Sequence, residues 1–226
     1  MAKLQEVQNM FPSSRIVDLT REIVPGAPVY PGDPFCEFTA HDTIAASGYN
    51  LTRVCFGTHQ GTHLDAPSHF YENGRTVDRI DLGRCVGPAT LIDLGERGAG
   101  AKIILADFLP FESAIRPGAR VIYRTGWDRV TGSAYFEDYP SLSPELAEWL
   151  ADRKIALLGM DTPGPAAAQW KEVHQAVLAA EIVVVESLTN LAALGAAEFF
   201  LVAAPLKLRG LDGSPIRAFG IVGDRA

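Results

Sequence analysis

The chain has 226 residues, 47% of them hydrophobic and 21% charged, enough to bury a sizeable core without disulfide or metal staples. Its formal net charge of −7 disfavours a nucleic-acid partner, because phosphate binding needs clustered Lys and Arg. Three cysteines without C-x-x-C spacing suit a reducing compartment, and the N-terminus lacks the apolar core of a signal peptide. The most apolar stretch, Leu191 to Leu206, is broken by Glu198 and is too short for a membrane span of ~20 residues. The expectation is a cytoplasmic protein with neither a membrane nor a nucleic-acid partner.

Residues 1–14 read as an N-terminal extension and 15–226 as one domain, since no repeat, low-complexity tract or linker divides the chain. Arg15–Thr20 reads as a strand, followed by PGAPVYPGDP as a turn-rich loop. Phe35–His41 and Tyr49–Phe56 then mix polar and apolar residues in strand fashion. Tyr30, Phe35 and Phe38 suit either a wall for an aryl substrate or the core, and as strand residues fit the core better. Ala89–Leu94, Arg120–Arg124 and Ile155–Met160 are further strands. Ser143-Pro144-Glu145 is a helix start, with a capping side chain, proline at the first helical position and an acid in the first turn. Gln169–Ala180 carries Trp170, Val173, His174, Val177 and Leu178 on one helical stripe. It lies between the apolar strands Ile155–Met160 and Ile182–Val185, which predicts a parallel pair with a right-handed crossover. The fold class expected is α/β, one domain with a mixed sheet.

Chemistry concentrates in one place. Three of the five histidines fall in the run His59-Gln60-Gly61-Thr62-His63-Leu64-Asp65-Ala66-Pro67-Ser68-His69, together with Asp65. Imidazole and carboxylate donors suit Zn²⁺, Mn²⁺ or Fe²⁺. Gly61 and Pro67 argue against a helix. On a straight strand His59 and His63 would stand ~13 Å apart, too far to share an ion unless the chain bends, and Gly61-Thr62 is the place for that bend. His63 and Asp65, two apart, reach one ion without it. His69 lies beyond Pro67, which carries it away from the first ligands and suits it to proton transfer. His41 has no nearby acid partner and reads as structural. His174, taken alone, reads better as a hydrogen-bonded core histidine, whereas Glu186 ends an apolar strand and needs a partner or a metal. A β-α-β unit lets the two converge.

This run resembles the H-x-G-T-H-x-D-x-P-x-H signature of the cyclase-like metal hydrolases, a family that includes bacterial kynurenine formamidases and isatin hydrolases. The resemblance extends from about Val17-Asp18-Leu19-Thr20 to about Ser214-Pro215-Ile216-Arg217-Ala218. It takes in Pro28-Val29-Tyr30-Pro31-Gly32-Asp33, Arg124-Thr125-Gly126-Trp127-Asp128, Gly159-Met160-Asp161-Thr162-Pro163 and the pair His174 with Glu186. It implies a swivelling β/β/α fold, assembly as a homodimer or higher homo-oligomer, and hydrolysis of a small cyclic or formyl amide. His59, His63 and Asp65 would bind one divalent metal, and Asp65 would bridge to a second held with His174 and Glu186. The ions would be Zn²⁺ or Mn²⁺. His69 would be the proton donor and acceptor, and metal-activated hydroxide would attack the amide. Tyr30 falls where the formamidases carry a substrate-contacting tryptophan. Glu186, where isatin hydrolase-like members can have glutamine, leans towards the arylformamidase reaction of tryptophan catabolism, N-formylkynurenine and water giving kynurenine and formate. Opening of a cyclic amide such as isatin is the alternative.

Two rival readings come from the residues. His63-x-Asp65 with distant His174 imitates the 2-His-1-carboxylate triad of Fe(II) oxygenases. That leaves His59, His69 and Glu186 unexplained, and no Arg follows within thirty residues of His174 to hold an oxo-acid. A metal that merely holds the fold would favour a closed, thiolate-rich site, whereas Cys36, Cys55 and Cys85 lie away from the cluster.

Overall fold

The computed structural model describes residues 14–223, so the expected N-terminal extension lies almost wholly outside the described residues. Its frame begins with the apolar runs. Ile155–Met160 and Ile182–Val185 are buried throughout, as befits strands covered on both faces. They form β9 (Leu157–Met160) and β10 (Val183–Glu186), paired in parallel with Val184 opposite Leu158. The crossover between them is helix α2 (Trp170–Ala179). Helix α1 (Pro144–Asp152) starts at the expected cap, Ser143 Oγ accepting from Leu146 N at 3.2 Å.

Nine strands make one mixed sheet. In spatial order they are β1 (Ser14–Asp18), β13 (Phe219–Gly223), β11 (Glu198–Val202), β5 (Val86–Asp93), β7 (Arg120–Arg124), β9, β10, β4 (His63–Asp65) and β12 (Gly213–Pro215). The pairs from β5 through β10 are parallel, and antiparallel strands flank them on both sides. Alternate residues serve opposite faces. Leu158 and Val184 pack with Leu146, Leu150, Val173 and Val177 of the two helices. Leu157, Val183 and Val185 face the other way and join Leu64, Leu201 and Val17 from both ends of the sheet, so the sheet curls round this second core. The class expected from the sequence, α/β with a mixed sheet, is the class found.

A two-residue pair, β6 (Lys102–Ile103) with β8 (Ser141–Leu142), is peripheral. More telling is the antiparallel hairpin of β2 (Glu37–Asp42) and β3 (Leu51–Cys55), exposed along nearly its whole length. Phe35 is 65% exposed and Phe38 44%, so neither belongs to the core that strand propensity suggests. A hairpin without a sheet behind it has no core face to offer them. His41 sits on the same hairpin, exposed, and the neighbouring Asp42 stands within ion-pair distance at 3.9 Å, against the expectation of no nearby acid. Among the described residues, no helix is long and apolar enough to cross a membrane.

Candidate active site

Gly61 adopts φ +63°, the left-handed backbone that glycine tolerates best, and so makes the expected bend. The chain then enters β4, three residues clamped between β10 and β12. This register sets His63 directly opposite Glu186, residues more than a hundred positions apart in sequence. Ser187, next along, takes φ +57°, a costly conformation for a residue with a Cβ. Thr62 Oγ1 donates to its carbonyl at 2.6 Å and Tyr135 Oη to its hydroxyl at 3.1 Å, holding the turn that ends β10 behind Glu186.

Two imidazoles are pinned from behind. His63 Nδ1 lies 2.9 Å from Gly61 O, and His174 Nδ1 lies 2.7 Å from Trp170 O. A carbonyl only accepts, so each Nδ1 carries a proton and each ring, when neutral, turns its Nε2 lone pair inward. His63 Nε2 lies 3.2 Å from Glu186 Oε2 and 3.4 Å from Asp65 Oδ1, close enough for charge attraction but aligned with neither as a hydrogen bond. His174 Nε2 lies 3.1 Å from Glu186 Oε1 and 3.8 Å from Asp65 Oδ2, and that last oxygen is buried without a partner. Phe70 stacks on the His174 ring, centroids 4.9 Å apart and nearly parallel. Inward lone pairs facing buried carboxylates call for a cation between them. Burial opposes a charge on His63, yet the carboxylates of Asp65 and Glu186 close to its Nε2 raise its pKa to about 9, so that without a cation a proton takes that place. His174 is raised for the same reason, with Glu186 the main cause against burial. The donor set fits a divalent metal.

His59 is held differently. Its Nδ1 lies 2.7 Å from Asp65 Oδ1 and its Nε2 2.9 Å from Asp212 Oδ2. Burial opposes its charge, but carboxylates at both ring nitrogens push its pKa up to about 11. Asp65 is held well below the usual carboxylate range, burial being outweighed by His59 and His63. His69 does not stay away beyond Pro67. The 3₁₀ turn Pro67–His69 folds it back until its ring centroid is 4.0 Å from that of His59, and its Nδ1 is 3.4 Å from Asp212 Oδ2. Donor atoms close enough to share an ion therefore fall into two sets, His59 with Asp65 and His69, and His63 with Asp65 and Glu186. Asp65 is common to both. In the second set the β4–β10 register places His63 with Glu186.

His59, His63, His69, His174 and Glu186 line one cavity of about 580 Å³, within the range of small-molecule sites. Tyr30 lines it too, edge-on to Phe136 at 6.1 Å between centroids. Asp33 also lines it, and burial raises its carboxyl although His59, His63 and His69 pull the other way. Sequence reasoning missed Asp212, whose carboxylate is held well below its ordinary value chiefly by hydrogen bonds to His59 and His69. Nothing local marks it: a single Asp before Gly-Ser-Pro looks like any turn. It also missed Arg21, Tyr135 and Tyr139 on the cavity wall.

The family model described as "Putative cyclase" matches residues 17–167. A kynurenine formamidase of Erythrobacter litoralis (strain HTCC2594) is 32% identical over 209 residues, covering 90% of this chain and 92% of that protein. One from Geobacillus thermodenitrificans (strain NG80-2) is 31% identical, covering 89% and 95%. Among solved structures, isatin hydrolase A from Labrenzia aggregata superposes with a TM-score of 0.86 at 28% identity, over 99% of this chain and 100% of that one.

Proposed function

The chain belongs to the cyclase family, and from that premise we propose that it is an arylformamidase-type hydrolase, cleaving N-formylkynurenine with water to kynurenine and formate. The observation that carries the reading is the pair of backbone-pinned imidazoles, His63 and His174, which line the cavity and turn onto Glu186 and Asp65. Kynurenine formamidases at about 30% identity over nine-tenths of the chain support the substrate class.

In this reading His63, Asp65, His174 and Glu186, with His59 beside them, would hold one or two divalent ions, Zn²⁺ or Mn²⁺. Such an ion supplies a Lewis acid that makes water nucleophilic near neutral pH and polarises a carbonyl. The chain's own contribution is proton handling and orientation. His69, half-exposed at the cavity, takes a proton from the attacking water and returns it to the leaving nitrogen as the C–N bond breaks. Asp212 faces both His59 and His69 and fixes their rings. Tyr30 and Phe136 offer apolar walls to an aryl group.

Metal-loaded protein screened against N-formylkynurenine, isatin and formanilide tests the proposal. Release of formate from N-formylkynurenine in preference to isatin opening is expected. Preference for isatin would move the assignment to cyclic amides, which the likeness to isatin hydrolase A favours.

A second copy of the chain belongs to the same proposal. The β2–β3 hairpin exposes Phe35, Phe38, Ile44, Tyr49, Leu51 and Val54, and Phe38 pairs with Val54 across the ladder. Residues 35–55 are about as many as one side of a standard interface, ~20–30. Light scattering should give twice the chain mass, and Phe38→Lys with Val54→Lys should reduce it to one; a wild-type monomer would end this part of the reading.

A further inference from the structure

Resting on the amide-hydrolase reading above, we infer that Arg21 is a specificity-determining residue that receives a carboxylate carried by the substrate away from the scissile bond. Arg21 is the single Lys or Arg among the described residues that line the cavity, where Glu22, Asp33 and Glu186 are acidic. On a chain of net charge −7, an anionic substrate entering this cavity needs a local cation, whereas a neutral aryl amide does not.

The guanidinium is prepared for that task. Its carbon sits 3.7 Å from the centroid of the Tyr135 ring, a cation–π stack that keeps the planar fork from swinging. Its backbone is fixed as well, Arg21 N donating to Thr62 Oγ1 at 2.8 Å. Nη2 donates to the carbonyl of Asp128 at 2.9 Å, Nε is buried without a partner, and no carboxylate among the described residues lies within ion-pair distance. A half-buried guanidinium whose Nε is cut off from water is ordinarily matched by an anion. Here the charge and the Nη donors not given to Asp128 are left for something that enters the cavity. The place is next to the reacting groups: Tyr135 Oη bonds Ser187 Oγ, and Ser187 follows Glu186. A substrate with its amide at the His63–Glu186 end would therefore present a side-chain or ring carboxylate to Arg21.

The test compares kcat/KM for N-formylkynurenine, which carries a carboxylate, with that for formanilide, which does not, in wild type, Arg21→Gln and Arg21→Lys. The preference for N-formylkynurenine should fall about 10- to 100-fold in Arg21→Gln, through KM, and recover in part in Arg21→Lys. If both substrates lose equally, so that their ratio stays put, Arg21 merely supports Tyr135 and the inference is wrong. Calorimetry of the metal-loaded protein with phenylacetate and phenylacetamide separates this outcome from failure of the hydrolase reading. Tighter binding of phenylacetate that Arg21→Gln abolishes supports the carboxylate subsite even if neither amide is cleaved. A preference that survives in Arg21→Gln places the anion elsewhere and overturns it.

Discussion

At the scale of single residues, the site depends on which nitrogen of each histidine points where. His63 and His174 owe their inward lone pairs to two backbone carbonyls, a feature of folded geometry that no spacing rule contains. His59 and His69 meet a carboxylate from a distant loop, Asp212. Replacing His69 with Ala should leave bound metal unchanged while turnover drops about 10²- to 10⁴-fold. Elemental analysis decides: loss of metal along with activity would make His69 a ligand. Gly213 gives a second prediction, because a Cβ there would stand 2.8 Å from His59 Cε1 and 2.9 Å from Leu64 O. Backbone cannot yield as a side chain does, so Gly213→Ala should displace His59 and weaken metal binding about 10- to 100-fold in a competition titration. Wild-type affinity in that variant would show that His59 has room to move.

Among elements, most of what the sequence made legible came from long periodic stretches. The two-sided apolar runs became β9 and β10, the Trp170–Leu178 stripe became the crossover between them, and Ser143 capped its helix as its neighbours required. β4 was not legible as a strand, because its three residues are mostly polar and their pairing is decided by neighbours far along the chain. The chain after Leu191 was also opaque: β11 and β13 are adjacent and antiparallel, a relation that local pattern does not encode. Phe35 and Phe38 misled, since strand propensity cannot tell a sheet interior from a free hairpin. One strand end carries a pH prediction. Asp161, immediately after β9, is buried, and that burial raises its carboxyl to about 6 against the donors Thr125 and Gly126. Its folded pKa lies above the unfolded 3.8, so the folded state binds the proton more tightly and gains stability as pH falls through 6 towards 3.8. Relative to Asp161→Asn, wild type should gain about 1 kcal/mol between pH 7 and pH 5 in urea unfolding. An unchanged gap would mean that the hydrogen bonds hold the carboxylate ionised.

For the whole molecule, the central fact is that two buried carboxylates, Asp65 on β4 and Glu186 on β10, lie together beside imidazoles from β4 and α2. Without a cation this cluster is a concentration of buried charge, and with one it becomes a bond between β4, β10 and α2. Metal at a hundredfold its Kd should stabilise the fold by about 2.7 kcal/mol. For a chain of this length that raises the thermal midpoint by roughly 5–10 °C, reversed by chelator and diminished in Glu186→Gln. A midpoint indifferent to metal would mean that no ion is held there.

The pairing of His63 with Glu186 closes a loop of more than a hundred residues. An ion held at that closure would act on the chain as a removable cross-link, and closures that long carry the largest entropic penalty when the chain opens. Its loss should therefore register first in kinetics: a chelated protein that unfolds sooner, and a refolding chain that captures metal only after both halves have met.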